Sequence, residues 1–380
     1  MSATTYPNYS PGLEGIVAGI TKISKITVET SRLEYRGYNV HDLAEKGSFE
    51  ETAFLLLRGH LPSQEELDTF KATLEAEREV PPQVIEALRQ CAPGTHPMDM
   101  LKVGYATLAG YDADYAEDAL DHGANIRKAI RIVAKAPRIV TAAYHIANGR
   151  EPIAPKAGLS TAANFLYMLH GKEEDAFTVK VMDASLTLYA EHTFNASTFA
   201  CRVTVATLSD IYSGIVSGIG TLKGPLHGGA NEEAMRMLLE VDTPEKAEDW
   251  IRTALANKSK IMGFGHREYK VGDSRAIYLT QVAKEIGRRK GNTRWGDIAD
   301  IMEKVMLEEK SIYPNVDFPA AYAYYLLDIP IELYTPIFVM ARVSGWSSHA
   351  IEQLAHNRLI RPTCIYEGPE GLDYPEIGSR

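Results

Sequence analysis

A chain of 380 residues, 45% hydrophobic and 24% charged, is long enough to bury a large core and is expected to divide into two unequal lobes. Its 40 basic and 50 acidic residues leave a net charge of −10, which disfavours nucleic acid or an acidic membrane as the main partner. Any anionic ligand must then be met by locally placed cations. Cys91, Cys201 and Cys364 lie far apart and in no CxxC pair, so neither a disulfide framework nor a zinc knuckle is indicated, and a reducing cytoplasm fits. The opening Met-Ser-Ala-Thr-Thr-Tyr-Pro has neither an apolar signal core nor an Arg-rich transit pattern. No uncharged apolar run reaches the roughly 18 residues of a membrane span; the nearest, 211–222, is short and broken by serines and glycines.

In chain order, alternation of apolar and polar residues over 19–30 and again near 33–35 predicts short strands. Helices dominate after that. Ser48 with Glu51, and Ser63 with Glu66, read as capping boxes opening successive helices, with Gly59 and Pro62 as the stop between them. Further helical patterns run over 82–91, 98–110, 124–148, 157–168, 184–191 and 195–220. The last is rich in Ala, Ser, Thr and Gly, which predicts close packing within the chain or between subunits. Charge then increases from about 228 to 330, which reads as a smaller inserted lobe. Thr335 and Pro336 supply an N-cap and first-turn proline for a helix to about 355.

The residues with most chemical content fall in three late segments: Gly224-Pro-Leu-His-Gly-Gly-Ala-Asn231; Gly263-Phe-Gly-His-Arg-Glu-Tyr-Lys270 with Asp273 and Arg275; and Pro314-Asn-Val-Asp-Phe318. Each sets one proton-handling side chain beside glycines or a turn, where backbone can approach a ligand closely. His227, His266 and Asp317 together suggest acid/base work on carbon. A lone His beside Gly is also a common cap or loop residue, and His122-Gly-Ala-Asn125 nearly repeats the first motif in an acidic stretch, where it reads as structural or surface. Asp317, after the turn signal Pro314-Asn315, could equally be a helix N-cap. Lys270 and Arg275 suit either anion binding or a solvated basic face. Arg342 follows the apolar Ile337-Phe-Val-Met-Ala341, where an unpaired guanidinium costs several kcal/mol, so it requires an anion, either a protein carboxylate or a ligand. No HxH, HxxxH or HExxH accompanies the histidines, which speaks against a metallohydrolase.

In order and wording these segments resemble the active-site segments of the citrate synthase family. The similarity extends from Gly12-Leu-Glu-Gly15 and Leu33-Glu-Tyr-Arg-Gly37 through Arg361-Pro362, and is nearest the short bacterial and archaeal type. The resemblance implies a mainly α, two-lobed citrate synthase-like fold with a short N-terminal β segment. Residues 1–227 and 331–380 would form a large helical domain and 228–330 a small one, with the active site in the cleft between them. It implies an acyltransferase of the tricarboxylic acid cycle that condenses acetyl-CoA with oxaloacetate and hydrolyses the citryl thioester to citrate and CoA. The alternative is 2-methylcitrate synthase acting on propionyl-CoA, because one methylene in a pocket discriminates by only about 1–3 kcal/mol.

By the same resemblance Asp317 is the base, His227 the donor to the thioester carbonyl, and His266 the acid at the oxaloacetate ketone. His192, Arg275, Arg342 and Arg361, the last from a second subunit, would hold oxaloacetate, and Lys270 would lie near CoA. The family implies no metal and no cofactor beyond the CoA thioester substrate, and a cytoplasmic homodimer or higher oligomer with no nucleic-acid or membrane partner. Glu268, where many short-type members have an apolar residue, and Ser274, in place of the usual proline, depart from the pattern and bear on the loop that aims Arg275.

Overall fold

The computed structural model describes residue 6 and residues 9–266, 268–269 and 272–380. It is mainly α-helical, as expected. The N-terminal sheet is small and antiparallel, in the order β1 (Ser24–Thr27), β2 (Arg32–Tyr35), β3 (Tyr38–Asn39), with Ile26 opposite Leu33. The predicted first strand is cut short by a 3-10 turn at Val28–Thr30. The two-residue period turns Leu33 and Tyr35 inward. The Tyr35 hydroxyl then donates to the Glu191 carbonyl at 2.9 Å and receives the Glu191 N–H at 3.2 Å. The sheet thus braces the segment that carries His192.

Helices α1 (Val40–Lys46), α2 (Phe49–Arg58), α3 (Gln64–Ala76), α4 (Pro82–Arg89) and α5 (Pro97–Ala109) follow. Ser63 and Glu66 cap reciprocally at α3. At α2 only half of the expected box forms, because the Ser48 hydroxyl accepts the Glu51 N–H while the Glu51 carboxylate turns to that same hydroxyl. Next come α6 (His122–Ala147), α7 (Thr161–His170) and α8 (Ala176–Tyr189). Their caps Asp121, Ser160 and Asp175 accept backbone N–H groups, which sets starts that apolar periodicity alone misplaced for α7 and α8. His122 is exposed on the first turn of α6, as a surface residue.

The predicted 195–220 helix is two helices, α9 (Ala196–Val205) and α10 (Ile211–Leu222). Leu208 takes φ +65° and the Asp210 carboxylate accepts the Ser213 N–H at 3.0 Å, a stop and a restart that the run of small residues concealed. At two of its glycines the close packing is within the chain. A Cβ on Gly214 would come within 2.8 Å of Val205, and one on Gly218 within 3.0 Å of the Trp346 ring.

Five helices, α11 (Ala230–Val241), α12 (Pro244–Ala256), α13 (Ser274–Lys290), α14 (Arg294–Lys310) and α15 (Asp317–Leu326), pack chiefly on one another. They meet the remainder through α11 against the last helix, α11 and α15 against the 3-10 turn at Ile331–Leu333, and α13 against α1 and α8. That last helix, α16 (Tyr334–Ala355), touches α2, α5, α6, α8, α9 and α10 and is buried over nearly its whole length. Each fully buried large apolar side chain on it contributes about 1.5–3 kcal/mol. Thr335 is not its N-cap: a 3-10 turn at Ile331–Leu333 leads in, and Thr335 lies one residue inside the helix with its hydroxyl directed to Glu232. Among the described residues, no helix is long and apolar enough to cross a membrane.

Candidate active site

A cleft of about 460 Å³ is lined by His192, His227, His266, Arg275, Asp317 and Arg342, together with Phe264, Asn315 and Phe338. These are six of the eight residues singled out from the sequence. Arg361 does not line the cleft and is exposed in the C-terminal segment beyond α16. Lys270 lies outside the described residues.

The second and third motifs are brought together by backbone pairing. Phe264 and Pro314 form an isolated antiparallel bridge, Gly265 N–H donates to the Tyr313 carbonyl at 2.8 Å, and Asn315 N–H donates to the Gly263 carbonyl at 2.9 Å. Gly263 takes φ +80°, and a Cβ there would lie 2.8 Å from the Phe318 Cβ, so both conformation and contact call for glycine. This stitching holds the segments that carry His266 and Asp317 together.

The imidazole tautomers follow from their hydrogen bonds. His266 Nδ1 accepts the backbone N–H groups of Glu268 at 3.0 Å and Tyr269 at 3.4 Å, so its proton resides on Nε2. His227 Nε2 accepts the Ser197 N–H at 3.3 Å, with the Ser197 hydroxyl at 2.8 Å, so its proton resides on Nδ1. Burial first, and the Arg342 charge second, bring the His227 pKa down to about 4, and the ring is neutral near pH 7. His192 is depressed well below the usual imidazole value by burial and then by Arg275, His266 and Arg342, and its Nε2 lies 3.1 Å from the Tyr269 hydroxyl. The chain leaves His192 through Thr193 at φ +51°, whose N–H donates to the Ser24 hydroxyl.

The two arginines are held differently. Burial alone would depress the Arg275 guanidinium, and the Asp273 carboxylate more than reverses that, gripping Nε at 3.0 Å and Nη2 at 2.8 Å. Asp273 also accepts the Arg275 and Val316 N–H groups, so it aims Arg275 and ties α13 to the Asp317 turn whatever occupies position 274. Arg342 is 1% exposed and donates Nε to the Tyr189 carbonyl at 2.8 Å. Its Nη1 and Nη2 are buried with no hydrogen-bond partner among the described residues. Of the two anions open to Arg342 on sequence grounds, no protein carboxylate pairs with it among the described residues. Burial lowers its pKa to about 10, which leaves it charged near pH 7.

Asp317 begins α15 without capping it. Its carboxylate instead accepts the Tyr189 hydroxyl at 2.8 Å. Burial raises the carboxyl to about pH 6, against the opposing pull of that hydrogen bond and of Arg275. This improves on the unperturbed Asp value of about 3.9 and makes the group a more capable base. Ser197 and Tyr189, which orient His227 and Asp317, were not singled out from the sequence. Nothing in their local patterns marks them, since both act through pairings more than 25 residues apart in the chain. Asp273 had a visible signal in its two-residue spacing from Arg275. No group of three or more metal-ligating side chains occurs among the described residues.

A mainly helical protein that lines one cleft with neutral imidazoles, a carboxyl of raised pKa and buried guanidiniums is equipped for proton transfer on an anionic substrate. The family described as "Citrate synthase, C-terminal domain" matches residues 12–363. Citrate synthase of Synechocystis is 45% identical over 98% of this chain and 94% of its own, and 2-methylcitrate synthase of Mycobacterium tuberculosis is 44% identical over 96% and 92%. The crystal structure of citrate synthase from Pyrobaculum aerophilum superposes with TM-score 0.91 at 38% identity, covering 97% of this chain and 95% of that one. The ternary complex of the Thermoplasma acidophilum enzyme with carboxymethyl-CoA and oxaloacetate gives 0.92 at 32% identity, covering 98% and 100%. The chain belongs to the citrate synthase family.

Proposed function

We propose that the protein is a citrate synthase. Asp317 removes a proton from the methyl carbon of acetyl-CoA while the His227 Nδ1–H donates to the thioester oxygen that gains charge. Preorganised donation of this kind is usually the largest catalytic contribution. The enol carbon then attacks the oxaloacetate ketone, whose oxygen takes a proton from His266 Nε2. Water hydrolyses the citryl thioester, giving citrate and CoA, with no cofactor beyond the thioester substrate. The observation that carries this reading is the Arg342 guanidinium, buried beside the acid/base groups with Nη1 and Nη2 unpaired among the described residues, an arrangement suited to a substrate carboxylate. Arg275 and His192 would hold the same substrate, and Lys270 would lie near CoA. Thiol release from acetyl-CoA should depend on oxaloacetate and exceed release from propionyl-CoA. Oxaloacetate-independent release would count against the reading, and faster use of propionyl-CoA would make the enzyme a 2-methylcitrate synthase.

In this proposal residues 1–227 and 331–380 form the large lobe and 228–330 the small one, a division supported by the mutual packing of α11–α15. Arg361, exposed outside the cleft, comes from the second copy in a cytoplasmic homodimer. Mixing Arg361→Ala and His266→Ala subunits, each inactive alone, should regenerate activity, because one site of the mixed dimer regains both side chains. Verified subunit exchange without recovery would reject shared sites.

A further inference from the structure

Tyr189 ends α8 and is 1% exposed, yet two of its polar atoms reach two different residues of the cleft lining. Its hydroxyl donates to Asp317 Oδ1 at 2.8 Å, and its backbone carbonyl accepts Arg342 Nε at 2.8 Å. Its ring lies 4.5 Å from that of Phe338, over which the Arg342 guanidinium also sits at 4.6 Å. One residue therefore touches the carboxyl assigned to proton abstraction, the guanidinium assigned to the anion, and an aromatic ring of the cleft wall.

We infer that Tyr189 is a positioning residue for the reaction: its phenol orients the Asp317 carboxylate and favours its ionised form, while its backbone separately fixes Arg342. This rests on the assignment of Asp317 as the base. The hydroxyl can serve as donor across the working range, because burial and the neighbouring Asp317 raise its own pKa well above the usual phenol value. The ionisable groups facing Asp317 are Tyr189 from α8, Arg275 with Asp273 at the start of α13, Arg342 from α16, and Tyr324 on its own helix. His227 and His266 line the same cleft. Of these, Tyr189 hydrogen-bonds the carboxyl through a neutral hydroxyl, so its removal leaves the surrounding charges unchanged.

The test is Tyr189→Phe, which keeps the ring and the carbonyl. A hydrogen bond to the charged form holds a carboxyl pKa down, so its loss should move the acidic limb of the kcat–pH profile upward by about 0.5–1 unit. On the plateau kcat should fall about tenfold from lost orientation. The oxaloacetate KM should stay within about twofold, because the carbonyl that holds Arg342 is retained. A second readout, independent of turnover, is titration of the Asp317 carboxyl by carbon NMR with aspartate labelling, identified by the signal lost in Asp317→Asn. An unshifted titration, or a kcat loss matched by an equal rise in KM, would overturn the inference. A shifted titration with an unshifted rate limb would uphold the hydrogen bond and remove Asp317 as the base, which separates failure of the inference from failure of the functional reading.

Discussion

Replacing Asp317 by Asn should lower turnover by about 100-fold or more, the usual scale of general-base catalysis, while leaving oxaloacetate affinity nearly unchanged. The amide keeps the side-chain shape and can still accept the Tyr189 hydroxyl, but it cannot take a proton from carbon. Oxaloacetate in this reading is held by Arg275, Arg342 and Arg361, so binding and chemistry separate at this residue. The parent enzyme supplies a companion expectation. Because the Asp317 carboxyl is raised to about pH 6 and only its ionised form is a base, kcat should be on its plateau above that pH and fall as pH drops through it. Steady-state kinetics across pH, with calorimetric binding of an unreactive oxaloacetate analogue, checks both. A variant within about tenfold of the parent rate shows that another group is the base, and one that loses the analogue recasts Asp317 as structural.

Replacing Arg342 by Met should have the opposite profile. Hydrogen bonds to charged groups contribute about 1.5–3 kcal/mol each, so removing the two that Nη1 and Nη2 can make to a carboxylate should weaken oxaloacetate binding by at least about 100-fold. Folding stability should hold or rise. The guanidinium is buried without an ion-pair partner among the described residues, and exchange of a buried charge for an apolar side chain of similar volume is commonly neutral or stabilising. The internal losses are the Nε bond to the Tyr189 carbonyl, about 1 kcal/mol, the stacking over the Phe338 ring and the attraction of Glu191, set against the cost of burying the charge. Thermal unfolding beside analogue binding decides the matter. A large drop in melting temperature, or an unchanged affinity, would make Arg342 a structural element and remove the chief support for an anionic substrate.

Much of the site was legible because its residues sit in short motifs whose local chemistry is distinctive. Glycines flank His227 and His266, a turn precedes Asp317, and an arginine interrupts the apolar run at Arg342. The residues that orient them were not legible in the same way, because Tyr189 meets Asp317 across 128 positions and Ser197 meets His227 across 30. Local composition says nothing about such pairings.

The linear chain by itself determined the mainly helical class, the starts of α2 and α3 through their Ser48 and Ser63 caps, and the acid/base and anion-binding residue types. These depend on interactions within a few residues, which sequence records directly. Only the tertiary structure decided that 195–220 breaks into two helices, that the Asp317 carboxyl turns from its own helix to Tyr189, and that among the described residues no carboxylate hydrogen-bonds the Arg342 Nη1 and Nη2. The proton positions on His227 and His266 follow from backbone donors as well: for His266 these lie in its own turn, and for His227 the donor lies in another helix. The physical reason is that burial and partner geometry set a side chain's charge, tautomer and aim, and both are created when distant segments pack together.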